Sequence, residues 1–420
     1  MTARVLNVWW DGRIVGQFTQ DRHGDIGFAY ARAWLDDNKA LPLSASLPKR
    51  PEPFSRRECR PFFGGLLPEE SQRLVAAQAL GVSPGNDFAL LDRLGGDVAG
   101  ALQLLPEDQE PTEPEQLAYQ QPTPLNDVGV ARVLDALPTR PLLAGQEGLR
   151  LSLAGAQSKV PVVMIDGQIA LPLPDQATTH ILKPPIVRFP GTTENEAVVM
   201  MLAAVIGLDV ALVETRFAEG RPFLLVERYD RVRDDSGIVR RIHQEDFCQA
   251  LSIPPEAKYA SEGGPTFKDC FELLRRVSER PATDIMKLLD AAIFNLIVGN
   301  ADAHGKNFSI LYDDQGPRMA PLYDLLSTVA YPDFSPKMAM RMGRRATLAE
   351  MDADGWKAFA KEIGVGLPLV RRRVTELADA TRQSIARVSE TISPLAIDPV
   401  TTNHVAALIA DRAKLVVLSI

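Results

Sequence analysis

The sequence predicts an α+β protein in which a small N-terminal α/β domain packs on a two-lobed domain, strand-rich first and helical second. Three observations carry that expectation. An Asp11-Gly12 pair separates two β-favouring runs, and such a pair supplies the positive φ angles of a tight hairpin turn. An acidic, proline-rich stretch at 106–124 breaks the hydrophobic pattern and cannot bury a core. Beyond it, short apolar strands dominate to Tyr229, after which apolar residues recur at helical spacing.

Taken in order, Val5 to Trp10 and Arg13 to Phe18 form the hairpin, and Phe28 to Leu35 reads as a third strand. Residues 61–80 read as an apolar loop running into a helix. Pro68 starts that helix, Glu69 and Glu70 suit the positive end of its dipole, and Gly81 closes it. A helix near 84–94 and a strand near 98–105 complete the N-terminal domain, 1–105, and 106–127 is a linker. The strand-rich lobe spans 128–229, with strands at LSLAG, VPVVMI, QIALPL, HILKPP and FLLVERYD. Its helix at 194–206 opens on a Thr193-x-x-Glu196 capping box and buries Val198, Val199, Leu202, Val205 and Ile206. The helical lobe spans 230–420. Its clearest helix carries Ile285, Leu288, Leu289, Ala292, Ile293, Leu296 and Ile297 on one face.

Composition narrows the class. The 420 residues are 45% hydrophobic and 24% charged, the balance of a folded chain. Lys and Arg total 46 against 54 for Asp and Glu, a net charge of −8, so no global basic field exists to coat nucleic acid. Cys59, Cys248 and Cys270 are widely spaced with no CxxC pair, which argues against a disulfide framework and fits a reducing cytoplasm. No cationic leader precedes an apolar core, and the longest apolar stretches, such as 197–208, fall short of the ~20 residues of a membrane span. A cytoplasmic protein without membrane contact is expected.

The most informative segment runs from Ile297 to Ser309. A buried helix ends at Gly299, and a polar loop follows with Asp302, His304, Lys306 and Asn307. Residues 308–312, a turn at 313–316, and residues 318–324 then read as a hairpin. With its centre near Gln315, antiparallel pairing brings Asn307 beside Tyr323 and to the same open end as Asp324. An amide oxygen and a carboxylate converging there suit Mg²⁺, which takes oxygen ligands and leaves other positions to water or phosphate. Asp302, five residues before Asn307, can accept the proton of an attacking hydroxyl. This is the spacing and order of a protein-kinase catalytic loop, without its HRD and DFG strings. The alternative is a polar loop whose Asp and Asn are turn formers.

Lys183 ends an apolar strand just before two prolines, where it can project into a cleft and hold nucleotide phosphates, or merely blunt an edge strand. Glu194 and Glu196 are both candidate partners for it. Residues 151–159 (LSLAGAQSK) have small side chains that let backbone N–H groups approach phosphate, or form a plain hairpin loop. Glu227, Arg228 and Tyr229 lie where strands give way to helices, placed to pair with an adenine edge or simply to connect. His23, His180, His243, His304 and His404 lack metal-ligand spacing. Arg371, Arg372 and Arg373 form the densest basic run, a solvated helix face or a contact for DNA phosphates.

Together these strings resemble the HipA family of serine/threonine-protein kinase toxins of type II toxin–antitoxin systems. The matching stretches, in family order, are FFGGLLPE (62–69), SLAGAQSK (152–159), HILKPP (180–185), ENEAVVMMLA (194–203), LLVERYDR (224–231), HQEDFCQAL (243–251), GNADAHGKNFS (299–309) and PLYDLLS (321–327). The resemblance implies an N-terminal domain packed on a protein-kinase-like domain that uses ATP and Mg²⁺. It makes Asp302 the catalytic residue and Asn307 and Asp324 the metal ligands. Lys183, the loop Ala154, Gly155, Ala156, Gln157, Ser158 and Lys159, the hinge Glu227, Arg228 and Tyr229, and His304, Lys306, Asn307 and Asp324 form the ATP-binding set. Ser152 falls where members carry an inhibitory autophosphorylated serine. Ser158 stands where an acidic residue is frequent. The implied substrate is an aminoacyl-tRNA synthetase, glutamyl-tRNA synthetase in the best-known member. The implied partners are a HipB-like helix-turn-helix antitoxin dimer and, through it, operator DNA. The competing readings are a nucleotide-binding co-repressor acting with such an antitoxin and a small-molecule kinase.

Overall fold

The computed structural model describes residues 4–113, 116, 117, 120–392 and 398–420; parts of the predicted linker and of the helical lobe lie outside the described residues. At the N-terminus, β1 (Arg4–Trp10), β2 (Arg13–Gln20), β3 (Ile26–Tyr30) and β4 (Leu102–Pro106) form an antiparallel sheet in the order β3-β2-β1-β4. The hairpin turns at Asp11-Gly12, both with positive φ. The third strand stops at Tyr30 instead of running to Leu35. A short helix, α1 (Arg32–Asp36), follows, because Trp34 turns back into the core and its indole N–H donates to the Leu41 carbonyl at 2.9 Å.

The apolar stretch at 61–67 is mostly helix rather than loop. Ser55 and Glu58 form a reciprocal capping box that starts α2 (Arg56–Gly65) five residues before the predicted region. A break at Leu66–Glu69 precedes α3 (Glu70–Leu80), closed by Gly81 in the left-handed conformation, and α4 (Asp87–Leu94) follows. Phe18, Phe28, Phe62, Phe63 and Phe88 centre this unit's core.

Helix α5 (Asp127–Ala136) leads into a five-stranded antiparallel sheet of order β6-β5-β7-β9-β8. Its strands are β5 (Val160–Ile165), β6 (Gln168–Ala170), β7 (His180–Lys183), β8 (Val213–Ala218) and β9 (Arg221–Glu227). Two faces need two partners. Phe223 and Leu225 of β9 face the core built on α5, while Leu224 and Val226 face the core that includes α6 (Thr192–Val205). Residues 151–155 make only isolated bridges, at Leu151 and Gly155, so the predicted LSLAG strand is a loop. The predicted capping box of α6 also does not form. Glu196 is drawn to Lys183 instead, Gly191 caps the helix in the left-handed conformation, and Val205 faces solvent.

The last unit is built on α7 (Phe247–Ala250), α8 (Phe267–Val277), α9 (Pro281–Val298), α10 (Ala353–Glu362), α11 (Leu367–Ile392) and α12 (Pro399–Leu418). A small antiparallel sheet of β12 (His243–Asp246), β13 (Ser309–Asp313) and β14 (Gly316–Met319) is set against them; β10 (Arg231–Arg233) and β11 (Val239–Arg241) form a hairpin before it. Among the described residues no helix is long and apolar enough to cross a membrane.

Candidate active site

The two-residue period of β7 decides where Lys183 points. Leu182 enters the core shared with α5, so Lys183 faces the other way, toward α6. Its Nζ lies 2.7 and 2.8 Å from the two Glu196 oxygens and 2.8 Å from Asp324 Oδ1. Burial opposes the ammonium charge, but Asp324 and Glu196 outweigh it and hold Lys183 protonated well above its ordinary range. Glu196 is therefore the lysine's partner among the two candidates. Glu194, two residues earlier, points to nearly the opposite side of the helix, near Asp398.

Helix α9 ends at Gly299, whose φ of 77° turns the chain out of the helix. Asn300 shapes the loop that follows: its Oδ1 accepts from the Asp302 backbone N–H at 3.0 Å and its Nδ2 donates to Asn295 Oδ1 at 2.8 Å. Burial raises the Asp302 carboxyl to about 6, against the opposing pull of Lys258, and the Tyr259 hydroxyl stands within reach of it. The His304 ring meets Tyr259 edge-on at 5.6 Å, and its buried Nδ1 has no partner. Burial lowers its pKa to about 4, so the imidazole is neutral at pH 7.

The β13–β14 register pairs Ile310 with Met319 and Asp313 with Gly316, one residue off the predicted pairing. Asn307 and Asp324 meet all the same, because the chain leaves that ladder after Ala320, whose N–H makes the ladder's last bond, to the Ser309 carbonyl. The Leu322 N–H donates to the Asp209 carbonyl, the Ala211 N–H donates to the Leu322 carbonyl, and Asp324 turns back at φ 58°. Asn307 Nδ2 then donates to Asp324 Oδ2 at 3.2 Å, and Asn307 Oδ1 is left buried without a partner. Burial disfavours the Asp324 anion, but Lys183 and Lys159 hold its carboxyl well below the usual range. An orphaned amide oxygen beside an ionised carboxylate is a donor set suited to a hard divalent cation. Among the described residues no three His, Cys, Asp or Glu side chains form a metal-holding group.

The loop from Ala154 to Lys159 lies beside this group and is half-buried throughout. Gly155 adopts φ 111°, and a Cβ there would stand 2.7 Å from Lys159 Nζ, which donates to the Ala154 carbonyl at 2.7 Å. Burial and the neighbouring Lys183 lower Lys159 to about 8. Gln157 Nε2 donates to the Pro184 carbonyl at 3.0 Å, and Ser158 Oγ to Gln72 Oε1 at 3.1 Å. Ser152, at the base of the loop, is fully buried and donates to the Leu66 carbonyl at 2.7 Å.

Other predicted positions carry partners within the protein. Lys306 Nζ bonds Asp246 Oδ2 at 2.6 Å and reaches the Gly65 carbonyl at 3.4 Å. The Arg228 side chain is buried between Asp97 and Asp230, Glu227 is exposed, and half-buried Tyr229 joins the same network through Gln244, which donates to Asp230. The three arginines of α11 do not form one patch. Arg373 bonds Asp290 at 2.8 and 2.9 Å, and Arg371 and Arg372 face solvent. Sequence reasoning passed over Lys258, Tyr259, Gln72 and the site role of Glu69. Glu69 alone had an advance sign, as the end of FFGGLLPE, a stretch too apolar for a surface loop; Gln72, Lys258 and Tyr259 lie outside it.

A strand-rich lobe and a helical lobe that meet at a Lys–Glu–Asp triad, with an Asp and an Asn on the loop after a buried helix, define a kinase-like α+β protein. The chain belongs to the HipA family: the pattern described as the HipA-like C-terminal domain matches residues 151–388, and that of the HipA N-terminal domain matches residues 6–105. The chain is 81% identical over its whole length to the whole of Y4mE of Sinorhizobium fredii, a protein carried under a provisional kinase name. It is 30% identical to the serine/threonine-protein kinase toxin HipA of Shewanella oneidensis, over 91% of this chain and 88% of that protein. A solved structure of HipA, HipB and operator DNA from Shewanella oneidensis matches with a TM-score of 0.85 at 28% identity, covering 99% of both chains.

Proposed function

We propose that the protein is the toxin of a type II toxin–antitoxin pair, an ATP- and Mg²⁺-dependent serine/threonine kinase whose target is an aminoacyl-tRNA synthetase. The observation that carries the reading is the meeting of Asn307, Asp324 and Lys183 at one point, with Asp302 on the same loop. Lys183 anchors nucleotide phosphates as a point charge. Asn307 and Asp324 hold Mg²⁺, which neutralises charge developing on the transferred group. Asp302 accepts the hydroxyl proton of the acceptor. Residues 154–159 cover the phosphates, and the chain at 227–229 borders the adenine.

Ser152 is the proposed autophosphorylation site. It is buried against Leu66, so its modification requires the loop to leave. A phosphate there adds nearly two negative charges where a neutral hydrogen bond stood, and the loop cannot return. The HipA–HipB–DNA assembly of the Shewanella relative supports an antitoxin dimer and operator DNA as partners. Exposed Arg371 and Arg372 are candidate phosphate contacts in such an assembly.

Incubation with labelled ATP, Mg²⁺ and cytosolic extract tests the activity and the substrate class together. One labelled synthetase is expected, and Asp302→Asn should slow transfer by roughly 10²–10⁴-fold while nucleotide binding persists. Label on metabolites alone, or an Asp302→Asn protein as fast as the native one, overturns the reading.

A further inference from the structure

Glu69 is a buried carboxylate of the N-terminal unit, 7% exposed, at the point where that unit meets the catalytic cleft. Its backbone and its side chain face different partners. The backbone N–H donates to the Gly155 carbonyl at 3.2 Å, and Pro68 forms a parallel bridge with Gly155, so the chain beside Glu69 acts as a strand against the phosphate loop. The carboxylate lies between two lysines of the helical lobe: Oε2 is 3.0 Å from Lys258 Nζ, and Oε1 is 3.6 Å from Lys306 Nζ. Lys306 belongs to the loop that carries Asp302 and Asn307, and its Nζ also bonds Asp246 and reaches the Gly65 carbonyl of the N-terminal unit. Lys258 adjoins Tyr259, which stands beside Asp302. The next residue, Glu70, has φ 46° and also reaches Lys258, at 3.1 Å. A non-glycine residue in that region is held there by its surroundings.

We infer that Glu69 is a positioning residue of the phosphotransfer site, one through which the N-terminal unit sets the phosphate loop and the catalytic loop at a fixed separation. This rests on the kinase reading. The inference adds that the N-terminal unit is part of the catalytic apparatus, since one of its residues touches both loops: the Glu69 backbone bonds Gly155 and its carboxylate faces Lys306. Two groups that must meet at a γ-phosphate lose rate steeply when the distance between them relaxes. Loosening the ion pairs at Glu69 therefore slows transfer more than it weakens nucleotide binding, because the backbone bond to Gly155 survives any side-chain change.

The test compares Glu69→Gln, Lys258→Met and the double variant in the full-length protein, with Asp302→Asn in parallel. Glu69→Gln should lower kcat by about 10- to 100-fold and change the KM for ATP by no more than about threefold. It should also lower Tm, because Lys258 is left buried without its main partner. The double variant removes both charges and should recover most of the Tm but not the kcat. Recovery of kcat together with Tm would show that Glu69 only stabilises the fold, and the inference fails. A Glu69→Gln protein with native kcat, while Asp302→Asn is inactive, sinks this inference alone. A fully active Asp302→Asn protein removes the kinase reading and this inference with it.

Discussion

The Asn307 side chain gives its amide nitrogen to Asp324, at 3.2 Å, and keeps its amide oxygen buried with no partner. That division sets the orientation of the amide. With the nitrogen donating to one carboxylate oxygen, the carbonyl oxygen points to where a cation would also meet the carboxylate. Leaving a buried acceptor unmade is costly, so this oxygen has the capacity to take a partner from outside the protein, a water or a cation.

Removing that oxygen should weaken metal use specifically. In Asn307→Ala the Mg²⁺ concentration for half-maximal autophosphorylation should rise by about 10- to 100-fold. ATP affinity measured without metal should stay close to native, because Lys183 and the loop at 154–159 are untouched. A Mg²⁺ titration of activity alongside metal-free nucleotide binding separates the two. An unchanged Mg²⁺ requirement rules Asn307 out as a ligand.

Asp302 sets the pH response. Its carboxyl is raised to about 6 by burial, while Lys258 pulls it down and Asp324 adds to the rise. A base must be ionised to accept a proton, so kcat/KM should be full above this value and fall as pH drops through about 6. Lys258→Met removes the chief opposing charge and should move that acid limb to higher pH. A limb that stays near the ordinary carboxylate range would assign the base to another group.

Much of this site was legible as spacing, because catalytic loops place their groups on one short stretch of chain. Asp302, Asn307 and the hairpin returning to Asp324 could be read without coordinates, and a register error of one residue did no harm, since the chain beyond Ala320 follows Asp209–Ala211 instead of its hairpin partner. The choice of Glu196 over Glu194 was not legible. Helix phase decides it, and the T-x-x-E pattern suggested a cap where the structure has an ion pair with Lys183. The partners of Lys306 and Arg228 within the protein were only partly legible: Asp246 lies 60 residues from Lys306 and Asp97 lies 131 from Arg228, while the other carboxylate on Arg228, Asp230, is two residues on. A long-range carboxylate that pairs with a cation leaves no local trace.

The same long-range chemistry fastens the N-terminal unit to the chain at 228–241, and it can be tested by stability alone. Asp97 accepts from Arg228 Nη1 at 3.2 Å, Arg231 Nη2 at 2.9 Å and Arg241 Nε at 2.9 Å, and Asp230 takes a second bond from Arg228 at 2.8 Å. Three guanidiniums thus share two buried carboxylates, and burial, followed by the neighbouring Arg228 charge, lowers Arg231 to about 10. Asp97→Asn leaves those three cations with Asp230 alone and should destabilise the protein by about 3–5 kcal/mol at pH 7. The pH dependence follows from the direction of the shifts. Burial opposes the anions, but the arginines hold Asp97 well below its ordinary value and Asp230 at about 2. Their contribution is therefore complete above the unfolded carboxylate pKa near ~4 and is lost as pH falls through the folded values. Asn at 97 mimics the protonated acid, so the stability gap between Asp97→Asn and native protein should be widest at neutral pH and narrow as pH falls below ~4 toward ~2. Urea unfolding at a series of pH values measures it. A gap that stays constant down to pH ~2 would mean that the charge of Asp97 does not hold the unit in place, only its shape.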